Sequence, residues 1–499
     1  MKFALSHIAA ATGLALVASS ALADPSGTNR PLSNYAGADT TNVYLAGSSA
    51  VDLALTKFFA KACDAGTLDT YRSDTGVKSY YLWTCETTTA NGFGLASGNT
   101  KIAVHKNTNS SSDGVNLLSN TAAPALFLKT ADIASCTVAA AAIPAAAGLP
   151  AYTLSACGTT AGNAGTGTDS EQVNFGFADS EPAQFNSSVA GQLTTAYPFG
   201  IIFGVVVSKN VRDVLQQQQF GVSNDETLAN TPSLSSAQLN AIFTGNVTLW
   251  SQAIGTATTG VFSENPIYVV RRGDGSGSNR AFNTAFVGQF CTPGLQSMVT
   301  STPTANTNLT NPLTDCVSST TSRRKQAADS DDMVACVANF NASNIGSIGY
   351  VSTDYQPTAA DGYRFIKVDG YLPTQLNVVD GKYKVWSEEA LTYNTGRGTP
   401  GDLANFYNRF KTASADQAYL SAISSGLQQP IGGWTGGLLG AQPNSQNATG
   451  WGLPVAGNLA VPRSDASVLA NPANPLSRGY GAGYNLCAQP QPSRGYKAE

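Results

Sequence analysis

The residues with the densest chemistry are Arg271-Arg272-Gly273-Asp274-Gly275-Ser276-Gly277-Ser278, directly after the apolar pair Val269-Val270. A strand that runs into a Gly/Ser turn and then opens a helix leaves backbone N–H groups unpaired, and the helix dipole favours an anion in front of them. Glycine permits close approach to the backbone. Ser276 and Ser278 add hydroxyl donors, and Arg272 offers a positive, two-pronged fork. Asp274 is placed to hold that fork. The same residues would also make an ordinary turn with a serine N-cap. Two more serine-bearing helix starts favour the anion: Ser48-Ser49 after Val43-Tyr44-Leu45, and Ser110-Ser111-Ser112 after Ile102-Ala103-Val104. Three such N-termini, an arginine and an acid after an apolar strand compose a dehydrated cage. Its neutral donors avoid crowding several buried cations around one oxyanion.

Positioning that cage requires alternating strands and helices. Val51, Leu53, Ala54, Leu55, Phe58 and Phe59 give the helix after Ser49 its apolar face, and Val115, Leu117 and Leu118 begin the next one. Val173–Asp179 resumes organised structure, and the apolar run Phe199–Val207 after Pro198 reads as a buried strand. Leu234–Trp250 starts helical and ends near Gly245. Ile267–Val270 is a strand that feeds a helix through Phe286, and Ile348–Val351 is another strand. The alternation predicts α/β layers with parallel pairing, and no repeat period is evident. Residues 120–170, rich in Ala, Gly and Thr, read as an inserted surface lobe.

The chain has 499 residues, 42% hydrophobic and only 12% charged, with a net charge of −4. That balance excludes the concentrated basic footprint of a nucleic-acid binder. Of two histidines, His7 lies in a segment expected to be removed, which leaves His105. A multi-histidine zinc site is therefore excluded, and Ser-His catalysis has one base available. Lys2, the apolar stretch Ile8–Leu22 and Ala21-Leu22-Ala23 describe a secretory signal peptide over 1–23, followed by a flexible leader over 24–41. No other stretch would span a bilayer, so a soluble product outside the cytoplasm, periplasmic or secreted, is expected. Cys63, Cys85, Cys136, Cys157, Cys291, Cys316, Cys336 and Cys487 are even in number and show no C-x-x-C spacing, which suits disulfides in an oxidising compartment. Cys63–Cys85, Cys136–Cys157 and Cys291–Cys316 are the expected pairs.

The ordered segments resemble the phosphate-binding proteins of ABC transporters, which have the periplasmic type II fold. Leu45-Ala46-Gly47-Ser48-Ser49-Ala50 is similar to that family's first ligand loop, and Ser110-Ser111-Ser112-Asp113-Gly114 to its Ser-Gly loop. Phe175-Gly176-Phe177-Ala178-Asp179-Ser180-Glu181-Pro182 resembles its Asp-bearing strand end. Leu234-Ser235 through Ile242-Phe243-Thr244-Gly245 and Trp250 resembles a family helix, and Arg272–Ser278 is the closest match, with Ile348–Val351 following in order. The resemblance implies an α/β, two-lobed, periplasmic-binding-protein-like fold with the cleft between its lobes. Lobe I would take 40–199 and 384–499, with the insertion at about 120–170, and lobe II 200–383. Lys384–Tyr393 would be the strand returning to lobe I.

It also implies oxyanion contacts from Ser49, the Ala50 backbone, Ser111, Asp179, Arg272, Ser276, Gly277 and Ser278, with Asp274 orienting Arg272. Asp179 would accept the proton that hydrogen phosphate carries and sulfate lacks. The implied function is capture of inorganic phosphate for an ABC transporter permease by a monomer, with no cofactor and no catalytic step. The second loop departs from the family in carrying Asp113 where Gly is usual, either as a solvent-facing N-cap or with Lys106 offsetting it. The rivals are a secreted phosphoester hydrolase using the same cage, and an exported surface or adhesion protein that kept the fold without binding anions. Asp329-Ser330-Asp331-Asp332 before Met333–Phe340 reads as an acidic helix N-terminus, and Arg323-Arg324-Lys325 as a solvated basic run.

Overall fold

The structure is a computed structural model. It describes residues 35, 37–74, 79–87, 95, 98–108, 110–128, 137–138, 153–157, 170–255, 266–287, 307–308, 315–317, 323–379, 381–397, 401–415, 423–424, 429–443, 449–452, 479–480 and 483–484. The signal peptide expected over 1–23 lies outside these residues, as do Cys136, Cys291 and Cys487.

The first half is built on the strand Thr40–Gly47, which pairs in parallel with Lys101–Thr108 on one side and Phe175–Ala178 on the other. Ser79–Glu86 and Asp69–Asp74 extend the sheet antiparallel, and Thr153–Cys157 adds a parallel strand beyond them. Part of the segment read as a separate surface lobe is thus sheet edge, and Phe127 and Leu128 before it are fully buried. Tyr35 is buried too, so the end of the expected leader is built into the fold. The second half has a parallel centre of the same kind: Tyr268–Arg272 runs parallel to both Arg324–Ala327 and Ser347–Ser352.

One strand belongs to both halves. Leu193–Ser208 pairs its beginning antiparallel with Trp386–Asn394 and its end antiparallel with Ser347–Ser352. Its register shifts between Ala196 and Phe199, where Pro198 can offer no N–H to a ladder. From Ala196 onward it is buried throughout, as the apolar composition of Phe199–Val207 predicts. Trp386–Asn394 then closes the first sheet against Phe175–Ala178, pairing Ala390 with Ala178 and Leu391 with Phe177. The pairing is therefore mixed: the expected parallel pairs hold at the heart of each half, and the shared and returning strands are antiparallel.

Helices cover these sheets through aromatic contacts. Phe58 of Asp52–Ala62 meets Phe410 of Gly401–Ala415 at 4.3 Å between ring centroids, and Phe406 and Tyr407 stack on Phe175. Ser236–Phe243 begins at a capping box between Ser235 and Gln238 and ends before Gly245, whose φ is +76°. Ser330–Ala342 is capped by Asp329, which accepts the Asp332 N–H at 2.9 Å, so the acidic run is a helix N-terminus. Two other expectations are corrected. Cys316 bonds Cys336, not Cys291, because Cys336 lies on that buried helix next to the segment carrying Cys316; Cys63–Cys85 forms as expected. Lys325 is buried in an inner strand rather than solvated, which lowers its pKa. No helix among the described residues is long and apolar enough to cross a membrane.

Candidate functional site

Four of the expected segments meet where residues of the two halves come into contact. Phe175–Ala178 ends at Asp179, which is buried. Glycines let the flanking loops close on that strand: a Cβ on Gly114 would sit 2.1 Å from the Phe177 carbonyl oxygen, and one on Gly176 would sit 1.8 Å from that of Gly114. This contact brings Ser111 to Asp179. Ser111 Oγ accepts the Asp179 backbone N–H at 3.2 Å and lies 3.3 Å from Asp179 Oδ2, to which it donates.

The second half reaches the same hydroxyl. Gly277 N–H, at the start of Gly277–Phe282, donates to Ser111 Oγ at 3.1 Å. Ser112 N–H donates to the Gly275 carbonyl at 2.9 Å. The approach at Gly277 leaves no room for a side chain, since a Cβ there would lie 2.5 Å from both Ser111 Oγ and Asp179 Cβ. Ser276 caps this helix through the Asn279 N–H, and its hydroxyl lies 2.8 Å from that of Ser278.

Arg272 is buried at the end of its strand. Its guanidinium donates to the Ala328 carbonyl at 2.8 Å, and to Ser330 Oγ and Ser49 Oγ at 3.4 Å each. Its backbone N–H donates to Tyr350 Oη, whose ring stacks on Phe282. Asp274 does not take the orienting place expected for it. It is exposed and pairs with Arg271 at 3.3 Å, because the turn carries its side chain back along the neighbouring arginine. Ala328 and Ser330 are among the groups that hold Arg272 instead.

Ser49, Ser111, Asp179, Arg272, Ser276, Gly277 and Ser278 thus lie around one region. The Ala50 N–H also lies there but donates to Ser48 Oγ at 3.0 Å. Sequence reasoning missed Ser48, which caps this turn and also bonds Asp179 Oδ1. It missed Ser330 as well, although the acidic run marked a fourth serine-bearing helix start. Lys106 does not offset Asp113. It is fully buried against Asp52, the Ser48 carbonyl at 2.6 Å and Thr108, while Asp113 sits in the first turn of Asp113–Asn116. Burial raises the Asp52 carboxyl to about 6 against the pull of Lys106.

His105, the remaining candidate base, sits mid-strand. It stacks on Tyr44, with Nδ1 2.7 Å from the Leu128 carbonyl and Nε2 3.1 Å from Asn42 Oδ1. Among the described residues no cluster of His, Cys, Asp and Glu could hold a metal ion. A separate groove is lined by Arg212, Glu226, Arg364 and Trp434. There, both guanidiniums are engaged by Glu226, at 3.0 and 2.9 Å.

No curated protein matches the chain. Solved structures similar to it include one from Clostridium perfringens assigned as a phosphate ABC transporter substrate-binding protein with bound phosphate (16% identity, 78% of this chain and 98% of that one, TM-score 0.39). Others are an ABC-type phosphate transport receptor from Vibrio cholerae (15%, 76% and 96%, TM-score 0.36) and a phosphate-binding protein from Stenotrophomonas maltophilia (15%, 78% and 87%, TM-score 0.34). A family model matches residues 171–413, from the strand end bearing Asp179 through the shared strand and the Arg272 turn to the helix at Gly401–Ala415. The model is that of a PBP superfamily domain, so this stretch is similar to that superfamily.

Proposed function

We propose that the protein binds inorganic phosphate between its two halves and presents it to an ABC transporter permease outside the cytoplasm, with no chemical step of its own. The observation that carries this reading is the convergence on Ser111 Oγ, where Asp179 from one half meets the Gly277 N–H from the other. An oxyanion placed there would receive hydroxyls, a helix N-terminus and the Arg272 guanidinium. It would also face one carboxylate, which penalises any anion without a proton to share. Hydrogen phosphate has that proton and sulfate at neutral pH has none. The two halves would act as lobes, 40–199 with 384–499 and 200–383, closing about the strands Leu193–Ser208 and Trp386–Asn394.

The test is calorimetric titration of phosphate-stripped protein with phosphate and then sulfate near neutral pH. The expected result is tight phosphate binding, no sulfate binding, and a loss of about ten- to a hundredfold in Arg272→Ala, the scale of a charged hydrogen bond. Equal binding of both anions would overturn the role given to Asp179. No binding of either would overturn the reading as a whole.

A further inference from the structure

We infer that Glu389 carries a proton at neutral pH and donates it to the Asp179 carboxylate, so that the cage rests on an acid–carboxylate pair with one negative charge. The inference rests on the phosphate reading only for its consequence, not for the pair itself.

Glu389 lies in the returning strand Trp386–Asn394 and is completely buried. Because Ala390 pairs with Ala178 in an antiparallel register, the next residue along each strand brings Glu389 to Asp179. The two carboxyls are within hydrogen-bonding reach. Among the described residues neither oxygen of Glu389 has a hydrogen-bond donor, whereas Asp179 receives Ser48 Oγ on one oxygen and Ser111 Oγ on the other. Two carboxyls that touch with no donor between them must share a proton, and it belongs on the one that nothing else stabilises as an anion.

Burial and the acidic groups around Glu389 act in the same sense. Burial and then Asp179 push its carboxyl well above the usual range, and Asp52, from the helix Asp52–Ala62, adds to that push. Lys106, from the strand Lys101–Thr108, opposes it, but its ammonium is bonded to Asp52, Thr108 and the Ser48 carbonyl. Glu388 is the neighbouring acid on the same strand, and across the shared strand Glu389 faces Phe199, which has no charge.

Glu389 is therefore a positioning residue. As a neutral acid it holds Asp179 in place and leaves it one charge with which to accept the ligand's proton. Once it ionises, a second negative charge stands behind the cage and repels the anion.

Two measurements on the full chain test this. The first needs no ligand: difference infrared spectroscopy of wild type against Glu389→Gln near neutral pH. It should show the carbonyl stretch of a buried carboxylic acid that the variant lacks, and in Asp179→Asn that band should titrate away at lower pH. The second follows the phosphate Kd of wild type and Glu389→Gln from about pH 6 to about pH 10. The amide keeps a donor for Asp179, so affinities should agree within a few-fold at the acid end, with wild type falling behind by about tenfold or more at the alkaline end. A missing acid band would overturn the protonated Glu389. A band with parallel affinity profiles would overturn its effect on binding. If phosphate does not bind at all, the infrared arm still decides the pair while the phosphate reading alone fails.

Discussion

Each side chain around the cage answers to a different physical demand, so single substitutions should separate them. Gly277 is required by space: its Cβ would fall 2.5 Å from Ser111 Oγ and Asp179 Cβ. Gly277→Ala should therefore weaken phosphate binding by about tenfold or more, the scale of an overpacked contact, and calorimetry would show it. Lys106 is required by charge, because it is the cation that accompanies the buried Asp52. Asp52 also sets a pH dependence, since burial raises it from 3.8 to about 6. A carboxyl whose pKa is higher in the fold than in the open chain stabilises the fold fully below the lower value. That contribution is lost as pH rises through the higher one. Stability should thus decline between about pH 4 and about pH 6 on this account, and denaturation of Asp52→Asn over that range should show a flatter profile. Ser111 and Arg272 stand in serine- and glycine-bearing strand ends and helix starts that the sequence displays, whereas Asp179 was named only through the family resemblance. Ser48 was hidden next to the serine chosen in its place. Glu389 was hidden because register, which sequence patterning leaves open, is what sets it against Asp179.

Among elements, those with short-range signals were the legible ones. The capping box at Ser235 and the stop at Gly245 bound their helix locally, and the buried run after Pro198 could only be an inner strand. What failed depended on contacts distant in the chain. The helix Gly401–Ala415 declares itself through Phe406, Tyr407 and Phe410, which pack on residues more than two hundred positions earlier. Cys316 was assigned by nearness in sequence to Cys291, yet its partner on Ser330–Ala342 is also near, at a separation of 20 residues. Spacing alone had no means of choosing. That bridge ties the segment before Arg324–Ala327 to the helix whose first turn holds Arg272 through Ser330. Replacing both cysteines by alanine should cost about 3 kcal/mol of stability, read as a lower denaturation midpoint.

At the scale of the molecule, contacts that join the halves behind the cage should influence binding without touching the anion. Arg72 of the first sheet pairs with Asp331 in the first turn of Ser330–Ala342, and Tyr355 Oη donates to the same carboxylate at 2.6 Å. Arg72→Ala should raise the phosphate Kd by about two- to fivefold, as befits a partly exposed pair, and leave selectivity against sulfate unchanged in a competition titration.

The strand shared by the two sheets has a consequence for the order in which the chain can become a protein. Phe175–Ala178 and the beginning of Leu193–Ser208 both wait for Trp386–Asn394 to lie between them, nearly two hundred residues further on. A chain emerging from the ribosome amino end first must therefore carry two unmatched strand edges until most of its length has been made. Chains ending at residue 380 should accordingly be cut readily by protease across both strands, while chains reaching residue 415 resist. The strand Trp386–Asn394 then acts as the latch that ends a long vulnerable interval in biosynthesis.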